Sequence, residues 1–199
     1  ANFTTVRPKV TLAPSEGYVG ISVTISGSGF ASNQVVTIKY DETQVAIATS
    51  GSKGDLTATF LAPESMHGNH TITAADASGN SVSVTFVMES NPPDKPPLSL
   101  PGNGSRVGFI GSQTTTFQWV TVIDPSGVSY KLQIASDPGF VSLVVPEISG
   151  LIETSYTLPK EQALSYGTYY WRVKAIDGAQ NDSGWTAGYS FQSGFLPTW

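Results

Sequence analysis

Along most of the chain, apolar side chains recur at every second position, and the residues between them are mainly Ser and Thr. A repeat of two places successive side chains on opposite faces of an extended strand, so this pattern predicts strands with one buried and one hydroxyl-rich face. In the first half, Lys9–Ala13 opens a strand before a turn at Pro14-Ser-Glu-Gly17. Ile21, Val23 and Ile25 alternate with Ser22, Thr24 and Ser26. Val36, Ile38 and Tyr40 form the next stripe, ending at a hairpin turn at Asp41-Glu42 from which Thr43–Ala48 returns. Leu56, Ala58 and Phe60 follow, then Ile72 and Ala74, and finally Val82, Val84 and Phe86. About seven short strands separated by turn signals match a Greek-key sandwich.

The second half repeats the scheme with larger side chains. Phe117 and Trp119 share a face, as do Tyr130, Leu132 and Ile134. Leu143 and Val145 predict a short strand, and Tyr156 and Leu158 another. Tyr169, Trp171, Val173 and Ala175 form the longest stripe, with Tyr170, Arg172 and Lys174 opposite, and Tyr189 and Phe191 complete the set. Lys160–Leu164 is the one stretch expected to form a helical turn.

A duplicated hairpin ties the halves together. Gly68-Asn-His-Thr-Ile-Thr-Ala-Ala-Asp-Ala-Ser-Gly-Asn80 returns in looser form as Gly167-Thr-Tyr-Tyr-Trp-Arg-Val-Lys-Ala-Ile-Asp-Gly-Ala-Gln-Asn181. Each is an alternating strand that runs into an Asp/Gly/Asn turn and a second strand. Between the halves, Glu89-Ser-Asn-Pro-Pro-Asp-Lys-Pro-Pro97 carries prolines that lack amide donors and cannot sit inside a sheet. Such a segment is extended and semi-rigid, at roughly 3.1 Å per residue. The organisation is therefore a sandwich over residues 1–90, a proline-rich linker over 91–97, and a second sandwich with an apolar tail over 98–199.

The string Leu164-Ser-Tyr-Gly-Thr-Tyr-Tyr-Trp-Arg-Val-Lys-Ala-Ile-Asp177 resembles the sixth-strand signature of fibronectin type III domains in their bacterial and archaeal form. Trp119 and the segment Tyr130–Asp137 support that likeness over residues 96–193. The resemblance implies a corner tyrosine at Tyr169, its hydroxyl bonded back to the backbone, and a central core aromatic at Trp119. Val23-Thr-Ile-Ser-Gly-Ser-Gly-Phe30 and Gly68–Ala74 resemble immunoglobulin-like modules of the IPT/TIG kind over residues 6–88. Pairs of this sort are similar to the membrane-proximal ends of prokaryotic surface proteins.

Composition narrows the function classes. Charged residues make up 13% of the 199 positions and the net charge is −5. Residues 1–91 hold four basic and seven acidic groups, and the rest hold six and eight. Nothing in the sequence concentrates Lys or Arg as a phosphate backbone requires, which argues against nucleic acid as a partner. With no cysteine, neither disulfides nor a thiol nucleophile is available. No stretch reaches the ~20 apolar residues of a membrane span. The apolar end Gly194-Phe-Leu-Pro-Thr-Trp199 reads as an interfacial lead-in to a membrane anchor beyond it, or as a tail packed on the second sandwich.

Candidate chemistry is sparse. Glu64, His67 and His70 are the one metal-like cluster, but a spacing of three in a strand sends the two imidazoles to opposite faces. Asp76–Asn80, Asp124–Gly127 and Asp177–Asn181 are oxygen-rich loops; calcium would need two of them to pool their carboxylates, and Asp, Asn and Gly are also what tight turns need. Gly27-Ser-Gly29 is a strand end, not a nucleophile elbow, and Asp41-Glu42 is a solvated turn. Tyr18, Tyr166, Tyr170 and Trp185 lie outside the core stripes and are candidates for stacking on a sugar. Asn2, Asn69, Asn103 and Asn181 open N-glycosylation sequons.

The reading that follows is all-β: two Greek-key sandwiches in tandem, immunoglobulin-like and then fibronectin type III-like. We expect a non-enzymatic, extracellular or cell-envelope module that acts as spacer, display stalk or adhesion element. Its partner would be a protein or glycan at the cell surface, with no cofactor unless calcium binds a turn. The alternative is a carbohydrate- or peptide-binding module, accessory to a catalytic domain, that takes a peptide along an edge such as Leu143–Ile148. No catalytic, metal or cofactor residue is assigned, and the binding residues are left open.

Overall fold

A computed structural model describes residues 7–109 and 114–195. Among them every extended element is a strand, and the one helical turn is a 3-10 turn at Lys160–Gln162, inside the predicted window. Contacts divide the chain into a first unit running to Asn91 and a second beginning at Pro92, with Gly178–Gln180 grouping with the first.

The first unit contains β1 (Lys9–Ala13), β2 (Glu16–Gly17), β3 (Ser22–Ser28), β4 (Val35–Tyr40), β5 (Thr43–Thr49), β6 (Leu56–Leu61), β7 (Gly68–Asp76) and β8 (Ser81–Met88). They form a three-stranded sheet β1-β3-β6 and a five-stranded sheet β2-β8-β7-β4-β5. The inward side chains are those that the alternation selects: Val23, Ile25, Val36, Ile38, Ile72 and Phe86 are fully buried. The outward rows are hydroxyls, and some pair across strands, as Thr73 with Ser83 at 2.9 Å.

The second unit contains β9 (Leu98–Leu100), β10 (Ser105–Phe109), β11 (Thr116–Trp119), β12 (Val128–Ala135), β13 (Ile148–Leu151), β14 (Ser155–Thr157), β15 (Gly167–Asp177) and β16 (Tyr189–Phe195). Its sheets run β14-β11-β9 and β10-β16-β15-β12-β13. Adding eight to each strand number of the first unit reproduces these pairings completely. The correspondence includes the one parallel pair found among the described residues of each unit, β2 with β8 and β10 with β16. The duplicated hairpin seen in the sequence is thus one part of a strand-for-strand repetition.

The second core is aromatic. Phe117 meets Trp171 and Phe191 edge-on, with centroids 5.3 and 5.7 Å apart. Such tilted contacts set the negative face of one ring against the positive edge of the next. The Trp171 side chain is fully buried, and its Nε1 donates to the Pro101 carbonyl at 3.1 Å, which satisfies the indole inside the core. Trp119 is buried against Tyr130, and the Tyr169 hydroxyl donates to the Ser165 carbonyl at 3.2 Å, the corner bond that the resemblance implies.

One strand is displaced from its expected place. Leu143 makes only a single bridge to Ala135, and the ladder resumes at Ile148–Leu151. The Asp137 carboxylate accepts the N–H groups of Gly139, Val141 and Ser142, bending the chain into a loop. Pro146 then offers no donor, so pairing restarts only beyond it. The edge strand is therefore β13 and not Leu143–Val145. The C-terminal tail divides: Gly194 and Phe195 end β16, while residues 196–199 lie outside the described part. No helix among the described residues is long and apolar enough to cross a membrane.

Candidate functional site

The histidines are held apart. His67 is exposed ahead of β7, whereas His70 sits on β7, half-buried, with its ring stacked 4.7 Å from that of Tyr40. Nδ1 of His70 lies 2.7 Å from Oδ2 of Asp41, and Nε2 lies 2.6 Å from the Met66 carbonyl oxygen. Both ring nitrogens of His70 thus lie within hydrogen-bond distance of oxygen atoms of the fold itself. Burial alone would raise the Asp41 carboxyl, but the His70 ring and the Thr71 amide bonded to it hold it below the usual range. The Asp41 turn is in this way tied to β7 and is not merely solvated.

The oxygen-rich turns follow one plan. Asp76 donates its own N–H to the Asn80 carbonyl at 2.9 Å, while its carboxylate accepts the Asn80 backbone N–H at 3.0 Å and the Asn80 amide at 2.8 Å. Asp177 and Asn181 make the same three bonds. The Asp76 carboxylate also accepts the N–H of Ser78 and, from the loop after β3, that of Ala31 at 2.8 Å. Asp124 accepts the Ser126 N–H in its own turn. One oxygen each of Asp124 and Asp177 lie within 4.8 Å of each other, the adjacency of loops that pooled carboxylates would require.

The most organised polar surface lies on the outer face of the five-stranded sheet of the second unit. The Arg172 guanidinium lies over two rings, 4.1 Å from the Phe140 centroid and 4.7 Å from that of Trp185. Lys174 Nζ lies 5.2 Å from the Trp185 ring and 2.5 Å from Asp182. A cation over an aromatic face is attracted by the ring quadrupole, and Arg adds planar stacking. Arg172 Nε donates to the Gln133 carbonyl oxygen at 2.9 Å, the Gln133 amide donates to Glu147 at 2.8 Å, and Lys131 pairs with Glu147 at 3.2 Å. The Lys174 ammonium bonded to it, above all, holds the Asp182 carboxyl low.

Two backbone features build this column. Beyond the reach of β16, the segment Asp182–Thr186 completes the β15 ladder with alternating main-chain and hydroxyl groups. Ser183 N–H donates to the Ala175 carbonyl and its Oγ accepts the Ala175 N–H, and Thr186 does the same with Val173. That hitch sets Trp185 over the outward Arg172 and Lys174. On the other side, Phe140 adopts a left-handed φ of 57°, and its ring covers Gly188, where a Cβ would lie 2.8 Å from Phe140 Cε2. Glycine at 188 therefore makes room for the ring. The sequence did not single out Phe140; the available signal was Arg172 and Lys174 facing outward two residues apart, with an uncommitted Trp nearby.

The sugar-stacking candidates separate accordingly. Trp185 is a member of the cation–ring column, while Tyr166 is 64% exposed and its hydroxyl accepts from the Gln192 amide at 3.0 Å. Tyr170 alternates with buried Trp171 and so takes the outer side of β15, and Tyr18, 40% exposed, belongs to the first unit. Of the sequons, Asn69 and Asn103 are exposed, Asn181 is 6% exposed with its amide donated to Asp177, and Asn2 lies outside the described residues.

Comparison with known proteins agrees with this geometry in the first unit. Residues 9–88 match the IPT/TIG domain family. No curated protein matches the chain. Among solved structures, the chain is similar to the fibronectin(III)-like modules of Clostridium thermocellum CbhA at 15% identity and a TM-score of 0.36, covering 93% of each chain. It is also similar to the FN1-FN3 domains of chicken CNTN1 at 13% identity and a TM-score of 0.38, covering 94% of this chain and 65% of that one. A third, the Gamma-CGTASE from Alkalophilic bacillus clarkii, has 15% identity and a TM-score of 0.35, and the match takes in 98% of this chain but 28% of that enzyme.

Proposed function

We propose that the chain is a non-enzymatic spacer or display element of an extracellular or cell-envelope protein, built from an immunoglobulin-like and a fibronectin type III-like sandwich. The observation that carries this reading is how the polar side chains are used. His70, Asp76, Asp177, Arg172, Glu147 and Asp182, the groups most able to do chemistry, all bond to the fold's own turns and strands. Each core is filled by close-packed apolar residues, and each final hairpin is fastened by an Asp–Asn pair. Modules of both kinds serve as structural or binding units, and stiffness between attachment points is what such fastening supplies. Force spectroscopy on the chain, tethered at both ends, tests it. Two discrete unfolding steps are expected, and a gradual extension without steps defeats the spacer reading.

A second reading has its own support. Tyr170 is on the outer side of β15 and Tyr166 just precedes that strand, and an exposed tyrosine anchored through its hydroxyl offers a rigid ring for a sugar. A glycan array separates the two. Binding that Tyr166→Ala abolishes would make this a carbohydrate-binding module, whereas silence leaves the spacer.

A further inference from the structure

We propose that Asn103-Gly104 is a self-modifying pair held silent by Ser190. The Asn103 side chain cyclises onto the Gly104 nitrogen, with loss of ammonia, only when the turn between β9 and β10 leaves β16. It is the one Asn-Gly pair in the chain. The pair occupies the centre of a tight turn, which the Ser105 N–H closes by donating to the Gly102 carbonyl at 3.0 Å. Gly104 has a φ of 73°, in the left-handed region that favours glycine. The turn therefore places a residue whose amide nitrogen no Cβ shields directly after an exposed asparagine.

Cyclisation needs two groups to be free. The Gly104 amide must give up its proton, and its nitrogen must reach Cγ of Asn103. A C–N bond forms there as the Cγ–Nδ2 bond breaks and ammonia leaves, and water then opens the succinimide to aspartate or isoaspartate. In the fold both groups are tied to one residue of β16. The Gly104 N–H donates to the Ser190 carbonyl at 2.7 Å, and Oδ1 of Asn103 accepts the Ser190 N–H at 2.9 Å and its hydroxyl at 3.2 Å. The first bond holds the proton that must leave, and the other two fix the side-chain amide. Reaction therefore waits on a local opening, which proteins undergo without unfolding as a whole. Isoaspartate adds a carbon to the main chain, so the turn does not close again in register and the change is one-way.

Peptide mass mapping of the whole chain, kept in mildly alkaline buffer, follows loss of the Asn103 amide. The loss should be about ten times slower or more in buffer than in unfolding urea. Hydrogen exchange at the Gly104 amide should be slow as well, and deamidation should be slowed by at least as much, since both wait on the same opening. Ser190→Ala, which removes only the hydroxyl, should speed the loss about threefold. Asn181→Ala, which loosens a different clasp of the same unit, should leave it unchanged. Equal rates in buffer and urea overturn the proposal, as does a Gly104 amide that exchanges freely. Two substitutions that act alike overturn it too, because the bonds to Ser190 would then not be the gate.

Discussion

Asn181 closes on Asp177 through three hydrogen bonds: it accepts the Asp177 N–H at 3.0 Å and donates its own N–H and side-chain amide to the two carboxylate oxygens, each at 2.8 Å. Asp76 and Asn80 repeat that clasp at the corresponding hairpin of the first unit, with no bond differing by more than a few tenths of an ångström. The two turns differ in sequence between the clasping residues, Ala-Ser-Gly against Gly-Ala-Gln. The pair of side chains, and not the intervening turn, is therefore what the two hairpins have in common.

If the clasps are equivalent, their removal should be too. Asn80→Ala and Asn181→Ala should each destabilise their own unit by about 1–2 kcal/mol, the cost of leaving a carboxylate oxygen short of a donor. All four tryptophans fall after Pro97, so urea unfolding followed by fluorescence reads the second unit, and far-UV circular dichroism reads both. Costs that differ by more than about 1 kcal/mol would show that the shared geometry is not a shared energy.

Acid should act on the first unit through Asp76. Burial alone would raise this carboxyl, but the N–H groups of Ala31, Asn80 and Ser78 and the Asn80 side chain together hold it below its ordinary value. A carboxyl whose folded value is depressed adds stability above its unfolded pKa of about 3.9, and that stability drains as pH falls through the folded value. Asp76→Asn should therefore be less stable than the parent at neutral pH, and the gap should close below about pH 4. A gap that stays constant from neutral to acid pH would remove Asp76 as the source.

Trp171 anchors the second core, and two substitutions separate its roles. Trp171→Ala should cost about 3–5 kcal/mol, since a fully buried indole leaves a cavity. Trp171→Phe keeps much of the packing but strands the Pro101 carbonyl, and should cost about 1–3 kcal/mol. Denaturant midpoints by circular dichroism give both. A loss below about 1 kcal/mol for Trp171→Ala would mean that the site collapses around the missing ring.

The turns that suggested calcium are largely occupied by their own donors. Both Asp76 oxygens and both Asp177 oxygens already accept N–H groups, which is the role a cation would otherwise fill. Melting in excess calcium and in chelator should therefore coincide. A rise of several degrees with calcium would point to Asp124 and Asp177, whose oxygens are close enough to share an ion, and Asp124→Asn should then erase it.

Much of the fold was legible because burial follows a period of two. Ile25, Ile38, Phe60, Phe86, Trp171 and Phe191 are all buried where the alternation put them. The expected strand at Leu143–Val145 failed for a local reason: the Asp137 carboxylate gathers three backbone amides before Pro146, and alternation of apolar residues cannot register that competition. The strand-for-strand repetition was only partly visible, since the parallel pairs involve Glu16-Gly17 and Ser105–Phe109, pieces too short or too polar to carry a pattern. The Arg172 column was not legible, because Phe140 and Trp185 reach it from separate loops and spacing along the chain does not encode that convergence.

That column yields the sharpest energetic test. Arg172 is held by two rings and by Gln133, and burial lowers its guanidinium from the usual value. A double-mutant cycle with Arg172→Ala and Trp185→Ala should give a coupling of about 0.5–1 kcal/mol, the range for a partly exposed cation on a ring. Arg172→Lys keeps the charge but loses the flat surface that both rings contact, so it should recover less than half of what Arg172→Ala loses. High salt distinguishes the causes further. The Lys131–Glu147 and Lys174–Asp182 pairs weaken under screening, while the close contact of the Arg172 guanidinium with the Trp185 ring, at 4.7 Å, depends less on charge acting through solvent, and its coupling should persist. A coupling that vanishes in salt would assign the column to ordinary surface charge and not to stacking.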